Sequence, residues 1–424
     1  MAVPFFTAVF IGLLVLSFPI FLGILVATIT TFEVFGPPLP SMVMAQRVVE
    51  GVNIFSLIAV PLFVFAADII ARGQIGARLV ALVEAMVGHI TGGLAIATVM
   101  SCALFGAISG IGAAAVVSIG PIVYPSLLRQ GYGAGFSAGL ILSASTLSML
   151  IPPGVAMILY SVQTSASVGT VFLAGLGAGV LFTAVLAGYA YYYARRHGIM
   201  RGARASLPEI VTAARRAVWA LGLPAVIFGG IYGGVFTPTE AAAAACVYAI
   251  VVECFVYRQL PITDLFKVSV ASGTVIATLL ILIAAGGAMT WYLTLLQVPQ
   301  QISGLLDGLS PWTVLLVVNI IFLVAGMFID PNSAIIVLAP LVYPAAMAAG
   351  IDPVHFGAVL VLNLAIGMIT PPFGLNIFIG ITTFKISYAK IVQSVIPFIL
   401  LALITLFLAT YIPITVMWPT MLQG

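Results

Sequence analysis

A chain of 424 residues that is 63% apolar and 6% charged, with a formal net charge of +3, lies outside the composition of water-soluble domains, in which about a quarter of residues are charged. Its fourteen Lys and Arg form no basic cluster large enough to bind nucleic acid. Cys102, Cys246 and Cys254 sit in apolar runs and His89, His197 and His355 are scattered, so neither a disulfide framework nor a metal-ligand spacing is present. Runs such as Phe398–Ala409, apolar at every position but Thr405, lack the period-two alternation of a β-barrel, which leaves an all-α polytopic membrane protein.

Residues 1–46 carry one charge, Glu33, and no basic residue precedes Arg47, so the first apolar run is expected to stay in the membrane and not to be cleaved. Asp68 and Arg72, four apart on a helix, are expected to pair, with Arg78 and Glu84 marking a solvated helix end. Between Glu84 and Arg195 the only charge is Arg129. Inside that stretch, 93–108 and 113–128 flank a small-residue break, Ser109-Gly110-Ile111-Gly112. Each arm of about 16 residues reaches ~24 Å, short of a ~30 Å hydrocarbon core, and predicts a re-entrant hairpin over 93–128. The helix after it carries Ser143, Ser145, Thr146 and Ser148. It should unwind at Ile151-Pro152-Pro153-Gly154, because proline removes a backbone donor and clashes with the preceding turn.

Six of the fourteen basic residues (Arg195, Arg196, Arg201, Arg204, Arg215, Arg216) fall in one connection. The segment 195–216 is therefore a cytoplasmic linker between halves 1–194 and 217–424. In the second half, Thr237-Pro238-Thr239-Glu240 fits a capping box that opens a helix over Thr237–Tyr257. Runs 314–329 and 333–347 flank Asp330-Pro331-Asn332-Ser333 and predict a second hairpin over 314–347. Asp352-Pro353 has the pattern of an N-cap at a membrane surface, with His355 one turn later interfacial or packed. Asn363 and Asn376 then flank a second break, Thr370-Pro371-Pro372-Phe373-Gly374. The halves repeat at an offset of 219: Pro121-Ile-Val-Tyr-Pro125 answers Pro340-Leu-Val-Tyr-Pro344, Gly131 answers Gly350, and Pro152-Pro153 answers Pro371-Pro372. About a dozen crossings fit the length, and about five per half plus one re-entrant element makes the repeats inverted.

Irregular backbone at membrane depth is tolerated where it lines a cavity, and in transporters its free carbonyls coordinate Na+. A first Na+ site is expected at Ser109, Gly110, Gly112, Ser143, Ser145, Thr146 and Pro152, and a second at Gly326, Asp330, Asn332, Ser333, Asn363, Gly367, Thr370 and Pro371. Substrate contacts are assigned to Ser109, Asp330, Asn332 and Asn376. Asp330 is the sharpest of these, since a carboxylate at the centre of a membrane helix costs about 2.5–3.5 kcal/mol unless compensated, though Asp-Pro is also an ordinary helix start. An intramembrane hydrolase with Ser109 as nucleophile would need a nearby base, and the surrounding stretch offers only His89. No enzyme activity and no cofactor are expected.

At these residues the sequence resembles a known family, the large membrane subunit of tripartite ATP-independent periplasmic (TRAP) transporters. The resemblance runs through Phe55-Ser-Leu-Ile-Ala-Val-Pro-Leu-Phe63, Gly230-Ile-Tyr-Gly-Gly-Val-Phe-Thr-Pro-Thr-Glu-Ala241, Gly350-Ile-Asp-Pro-Val-His-Phe-Gly357 and Thr370-Pro-Pro-Phe-Gly-Leu-Asn376. It implies Na+-coupled, elevator-type import of a small carboxylate across the bacterial inner membrane. The implied partners are a periplasmic substrate-binding protein and a small four-helix membrane subunit, expected here as a separate chain. Members often carry Ser and Thr around the first hairpin tip and Ser after the first Pro-Pro. Here Ile111, Ala113-Ala114-Ala115 and Gly154 take those places, which shifts the first Na+ site toward backbone carbonyls with Ser109, Ser143 and Ser145.

Overall fold

A computed structural model describes residues 1–40 and 42–423. The first half contains α1 (Ala2–Val15), α2 (Ile20–Phe35), α3 (Met42–Glu50), α4 (Ala59–Arg72), α5 (Ile75–Val87), α6 (Gly93–Ser109), α7 (Gly112–Arg129), α8 (Ala134–Ser145), α9 (Leu147–Leu150), α10 (Val155–Thr164) and α11 (Val168–Arg196). The second half contains α12 (Leu207–Tyr232), α13 (Pro238–Ile250), α14 (Ile262–Leu295), α15 (Val298–Leu306), α16 (Pro311–Phe328), α17 (Pro331–Ala348), α18 (Pro353–Gly367), α19 (Leu375–Phe384), α20 (Tyr388–Tyr411) and α21 (Ile414–Met417). The protein is an all-α polytopic membrane protein. Nine helices among the described residues are long and apolar enough to cross a membrane, or ten if α8–α10, bent by 41° at its break, is one span; three of the nine are the hairpin arms α7, α16 and α17, which at 18 residues each are longer than the arms of about 16 expected from the sequence. That is fewer than a dozen, because α1, α2, α6, α18 and α19 have only 10–17 residues. The expected N-terminal span is instead the short pair α1 and α2, packed on each other.

Local chemistry sets the helix starts. Ser206 with Glu209 and Thr237 with Glu240 form complete capping boxes, each satisfying two otherwise unpaired end groups. Asp330 and Asp352 cap α17 and α18 through their carboxylates, with Pro at the first helical position. Gly131 and Gly350, at φ +93° and +75°, make the left-handed turns between α7 and α8 and between α17 and α18.

Element ends repeat at the 219 offset found in the sequence. Gly112–Arg129 shifts onto Pro331–Ala348, and the start of α8, Ala134, shifts onto the start of α18, Pro353. The halves interlock: α10 packs on α17, and by the corresponding exchange α19 packs on α7. With α6, α8, α11, α18 and α20 these form one body, while α4 and α5 pack on α13 and α12, and α2 and α3 pack on the 34-residue α14.

Two expectations about charge fail, for the same reason. Asp68 does not pair with Arg72; its Oδ2 accepts from Ser272 Oγ of α14 at 2.6 Å. Glu84 is exposed, but Arg78 is half-buried, stacked 3.8 Å over the Tyr257 ring and donating to the Arg216 carbonyl at 3.1 Å and to Gln74 Oε1 at 3.2 Å. In both cases a group on another element supplies a partner that the local sequence does not show. His355 takes the packed of its two expected placements, buried with its Nε2 2.8 Å from the Ala409 carbonyl oxygen.

Candidate functional site between two hairpin tips

The α6–α7 connection turns at Gly110, whose φ of +62° is left-handed and whose Cα lies so near the first Pro-Pro that an added Cβ would sit 2.0 Å from the Pro153 carbonyl oxygen. Only glycine fits there. At Gly112 an added Cβ would meet the Ser145 carbonyl oxygen at 3.3 Å and the Met368 sulfur at 3.5 Å, so the tip touches the broken helices of both halves. No side chain caps α7, because its N-cap is Ile111. The α16–α17 connection differs: the Asp330 carboxylate accepts from the Asn332 and Ser333 amides at 3.1 Å and from Ser333 Oγ.

The two tips share a cavity of about 150 Å³. Gly110, Ile111, Gly112 and Ala113 line one side and Asp330, Pro331 and Asn332 the other. Met149, Val155 and Ala156 from the first break, and Met368 and Leu375 from the second, complete the inner wall, with Val64 of α4 and Val275 and Leu279 of α14 facing them. Of the four residues assigned to substrate, Asp330 and Asn332 line this space; Ser109 and Asn376 are buried away from it.

Around the first break, hydroxyls bond back to their own helix, Ser145 Oγ to Leu142 O and Thr146 Oγ1 to Ser143 O, each at 2.7 Å. The Asn376 amide nitrogen, from the other half, donates to Ser145 Oγ at 2.9 Å and Leu142 O at 3.3 Å. This leaves Asn376 Oδ1 and Ser143 Oγ buried without a protein partner. Asn376 is thus gathered with the first-break residues. Pro152–Pro153 and Pro371–Pro372 are both cis.

Around the second break, Gly326 and Gly367 bring two backbones together: a Cβ on Gly367 would lie 2.7 Å from Gly326 Cα. The first half holds a parallel contact, where a Cβ on Gly106 would lie 2.5 Å from the Cα of Ser148, the residue that shifts onto Gly367. Thr370 Oγ1 donates to Ile366 O at 2.7 Å, and the backbone N–H of Asn376 donates to Met368 O at 3.0 Å. Asn363 Nδ2 donates to both the carbonyl and Oδ1 of Asn319 at 2.9 Å, and Asn319 Nδ2 donates to Thr410 Oγ1 at 3.0 Å. Asn363 Oδ1 is again buried without a partner. The sequence reading missed Asn319 and Thr410. An Asn within the apolar run 314–329 was the available signal.

Interlocked half-repeats, two helix breaks and a cavity between hairpin tips define a membrane transporter. Residues 7–415 match the family described as "Tripartite ATP-independent periplasmic transporter, DctM component", and the chain belongs to that family. It is 43% identical to the ectoine/5-hydroxyectoine TRAP transporter large permease protein UehC of Ruegeria pomeroyi, over 93% of this chain and 92% of that one. With the C4-dicarboxylate TRAP transporter large permease protein DctM of Pseudomonas aeruginosa it shares 41% identity over 87% of each chain. Its fold is similar to that of the YdaH transporter of Alcanivorax borkumensis, with a TM-score of 0.68, 14% identity, and coverage of 94% and 98% of the two chains. The chain is therefore a large permease component, a multi-pass protein of the bacterial inner membrane, and its relatives are permeases and not enzymes.

Proposed function

We propose that this permease couples Na+ entry to import of a small carboxylate-bearing solute handed over by a periplasmic binding protein, with a small membrane subunit as a separate chain. The observation that carries the ion coupling is the set of buried oxygens without protein partners, Ser143 Oγ and Asn376 Oδ1 by the first break and Asn363 Oδ1 by the second. A buried acceptor left unmade costs about 1–3 kcal/mol, and a cation held with nearby carbonyls offsets that cost without needing a donor. The first ion would sit among Ser109, Ser143, Ser145, Asn376 and the Gly110, Gly112 and Pro152 backbone. The second would sit among Gly326, Asn363, Gly367, Thr370 and Pro371, beside the Asp330-capped tip with Asn332 and Ser333. Substrate would occupy the cavity between the tips. The ions would order its walls.

Alternating access would come from movement of the interlocked body α6–α11 and α16–α20 against a scaffold of α1–α5 and α12–α14. Counting α11 and the bent α8–α10 pair as one crossing each puts the open end of the first hairpin on the face of the Arg-rich linker. The Gly202 amide donating to the Gly88 carbonyl at 3.2 Å agrees with that placement. Counting α12, α13 and α14 puts the open end of the second hairpin on the opposite face. In a chain with its three cysteines changed to serine, Arg129→Cys should react with a membrane-impermeant maleimide only from the cytoplasmic side and Ala348→Cys only from the periplasmic side. Labelling of both from one side would sink the inverted arrangement.

Ion coupling is tested by thermal unfolding of the detergent-purified chain with Na+ exchanged for K+ at equal ionic strength. A ligand that binds only the folded state stabilises it by about 2.7 kcal/mol at a hundredfold excess over Kd. Wild type should melt higher in Na+, and Asn363→Leu should lose a large part of that gain. Equal melting in the two salts would reject Na+ as the coupling ion.

A further inference from the structure

A cavity of about 600 Å³, larger than the one between the hairpin tips, lies between α5 and the first turns of α12, beside the Arg-rich linker. Its floor is short, with Ala77 and Ala81 of α5 and Ala213 of α12. The ionisable residues that line it are Arg78, Glu209 and Arg216. None of them belongs to the transport site.

Neither arginine is neutralised within the chain. Arg47–Glu50 and Lys267–Asp264 are the ion pairs among the described residues. The Glu209 carboxylate is committed to its own helix start, accepting from the Ser206 amide at 2.6 Å and from Ser206 Oγ at 2.9 Å. Glu253 is committed to the start of α5 through the Gln74 and Ile75 amides. Arg78 uses two of its five N–H donors, one on the Arg216 carbonyl and one on Gln74 Oε1, and its Nε is buried with no protein partner. The Arg216 side chain is exposed and makes no hydrogen bond among the described residues, while its carbonyl accepts from both Arg78 Nη1 and Tyr257 Oη. Those two bonds, with the Tyr257 ring stacked on Arg78, hold the two arginines side by side before anything binds.

The neighbouring residues set the depth. Trp219, one turn past Arg216, is exposed, as are Val211 and Val218 on the same helix, so α12 meets lipid beside and beyond the groove. Tyr248 donates to the Trp219 carbonyl at 2.8 Å. Trp and Tyr with one apolar face and one polar end gather at the level of lipid headgroups, which is where this arrangement puts the two guanidinium groups.

We infer that the α5–α12 groove binds the headgroup phosphate of an anionic phospholipid, with Arg78 and Arg216 as its ligands. A planar guanidinium meets phosphate oxygens with paired N–H donors, and basic pockets between membrane helices suit anionic headgroups. The alanine floor favours a lipid over a free anion, because it takes the glycerol and first methylenes that inorganic phosphate would leave uncovered. A bound lipid would tie α5 to α12 and steady the segment that leads into α6.

The test is thermal unfolding of the full-length chain in detergent, run in K+ so that Na+ coupling does not enter. The additions are phosphatidylglycerol, phosphatidylcholine with the same acyl chains, and potassium phosphate at matched ionic strength. Arg216→Gln is the variant, since that side chain holds nothing else in the protein. Arg215→Gln, exposed and outside the groove, removes the same charge one residue away. Phosphatidylglycerol should stabilise wild type and Arg215→Gln at a concentration at least about tenfold below that of phosphatidylcholine, and Arg216→Gln should shrink that ratio about fivefold or more. If the Gln variant does not fold, Arg216→Lys, which keeps the charge and loses the planar fork, should shrink it about threefold. Equal response to the two lipids in wild type, an undiminished ratio in the Arg216 variant, or an equal loss in the Arg215 and Arg216 variants would each overturn the inference. Potassium phosphate matching phosphatidylglycerol would overturn it in favour of a soluble anion.

Discussion

Gly367→Val is expected to lower the thermal stability of the chain and to abolish stabilisation by Na+. The Cβ alone would lie 2.7 Å from the Cα and the carbonyl carbon of Gly326 and 2.8 Å from its oxygen, all backbone atoms that cannot rotate away. Overpacking of this kind typically costs about 1–3 kcal/mol, and here α16 and α18 must separate to relieve it. The same separation would pull apart carbonyls proposed to share an ion. Gly106→Val, against Ser148 Cα at 2.5 Å, should do the same in the first half. Gly326→Ala should be milder, since its nearest contacts are at 3.2–3.3 Å. Gly273→Ala, with nothing within 4 Å, should leave the Na+ response intact and gain up to about 1 kcal/mol from better helix propensity. Melting of the four variants in Na+ and in K+ checks the series. A Gly367→Val chain that still gains stability in Na+ as wild type does would remove the second ion site from that crossing.

What was legible in the sequence is what local chemistry decides. Arm lengths on either side of Ser109-Gly110-Ile111-Gly112 and Asp330-Pro331-Asn332-Ser333 depend on apolar run length, and the observed helices Gly112–Arg129 and Pro331–Ala348 end within a residue or two of the expected bounds. The Pro-Pro breaks follow from a missing donor, and the caps at Thr237, Asp330 and Asp352 from a side chain reaching its own first turn. What was not legible is which far segment supplies a partner. Asp68 has an apparent mate four residues on and takes Ser272, 204 residues away. Asn376 follows the second break in sequence but bonds to Ser145 beside the first, because α19 packs across onto the other half. Periodicity reports which face of a helix is apolar; it holds no information on what that face meets.

Glu253 shows that limit most sharply, and Glu253→Ala is expected to destabilise the chain by roughly 3 kcal/mol. Its sequence context, Val251-Val-Glu-Cys-Phe-Val256, gives an isolated charge in an apolar run and no local partner. In the fold it is fully buried and reaches across to the start of α5, where its two oxygens accept from the Gln74 and Ile75 amides at 3.2 Å each. These are end amides that α5 cannot satisfy itself, and Gln74, the N-cap, makes no side-chain cap. Truncation to alanine would lose two charge-assisted bonds and leave two donors unpaired. Glu253→Gln retains one acceptor oxygen and should cost about half as much. Gly73 supplies a second handle: a Cβ there would lie 2.0 Å from the Glu253 carboxylate carbon, so Gly73→Ala should dislodge the same side chain. If both act through one contact, the Gly73→Ala/Glu253→Ala double variant should unfold close to the more destabilised single variant, a coupling that denaturant unfolding of the purified chains measures directly. Additive losses would show that the carboxylate is not what holds α5. Because α5 leads straight into α6, loosening its start frees the root of the first hairpin, and uptake should fall with stability.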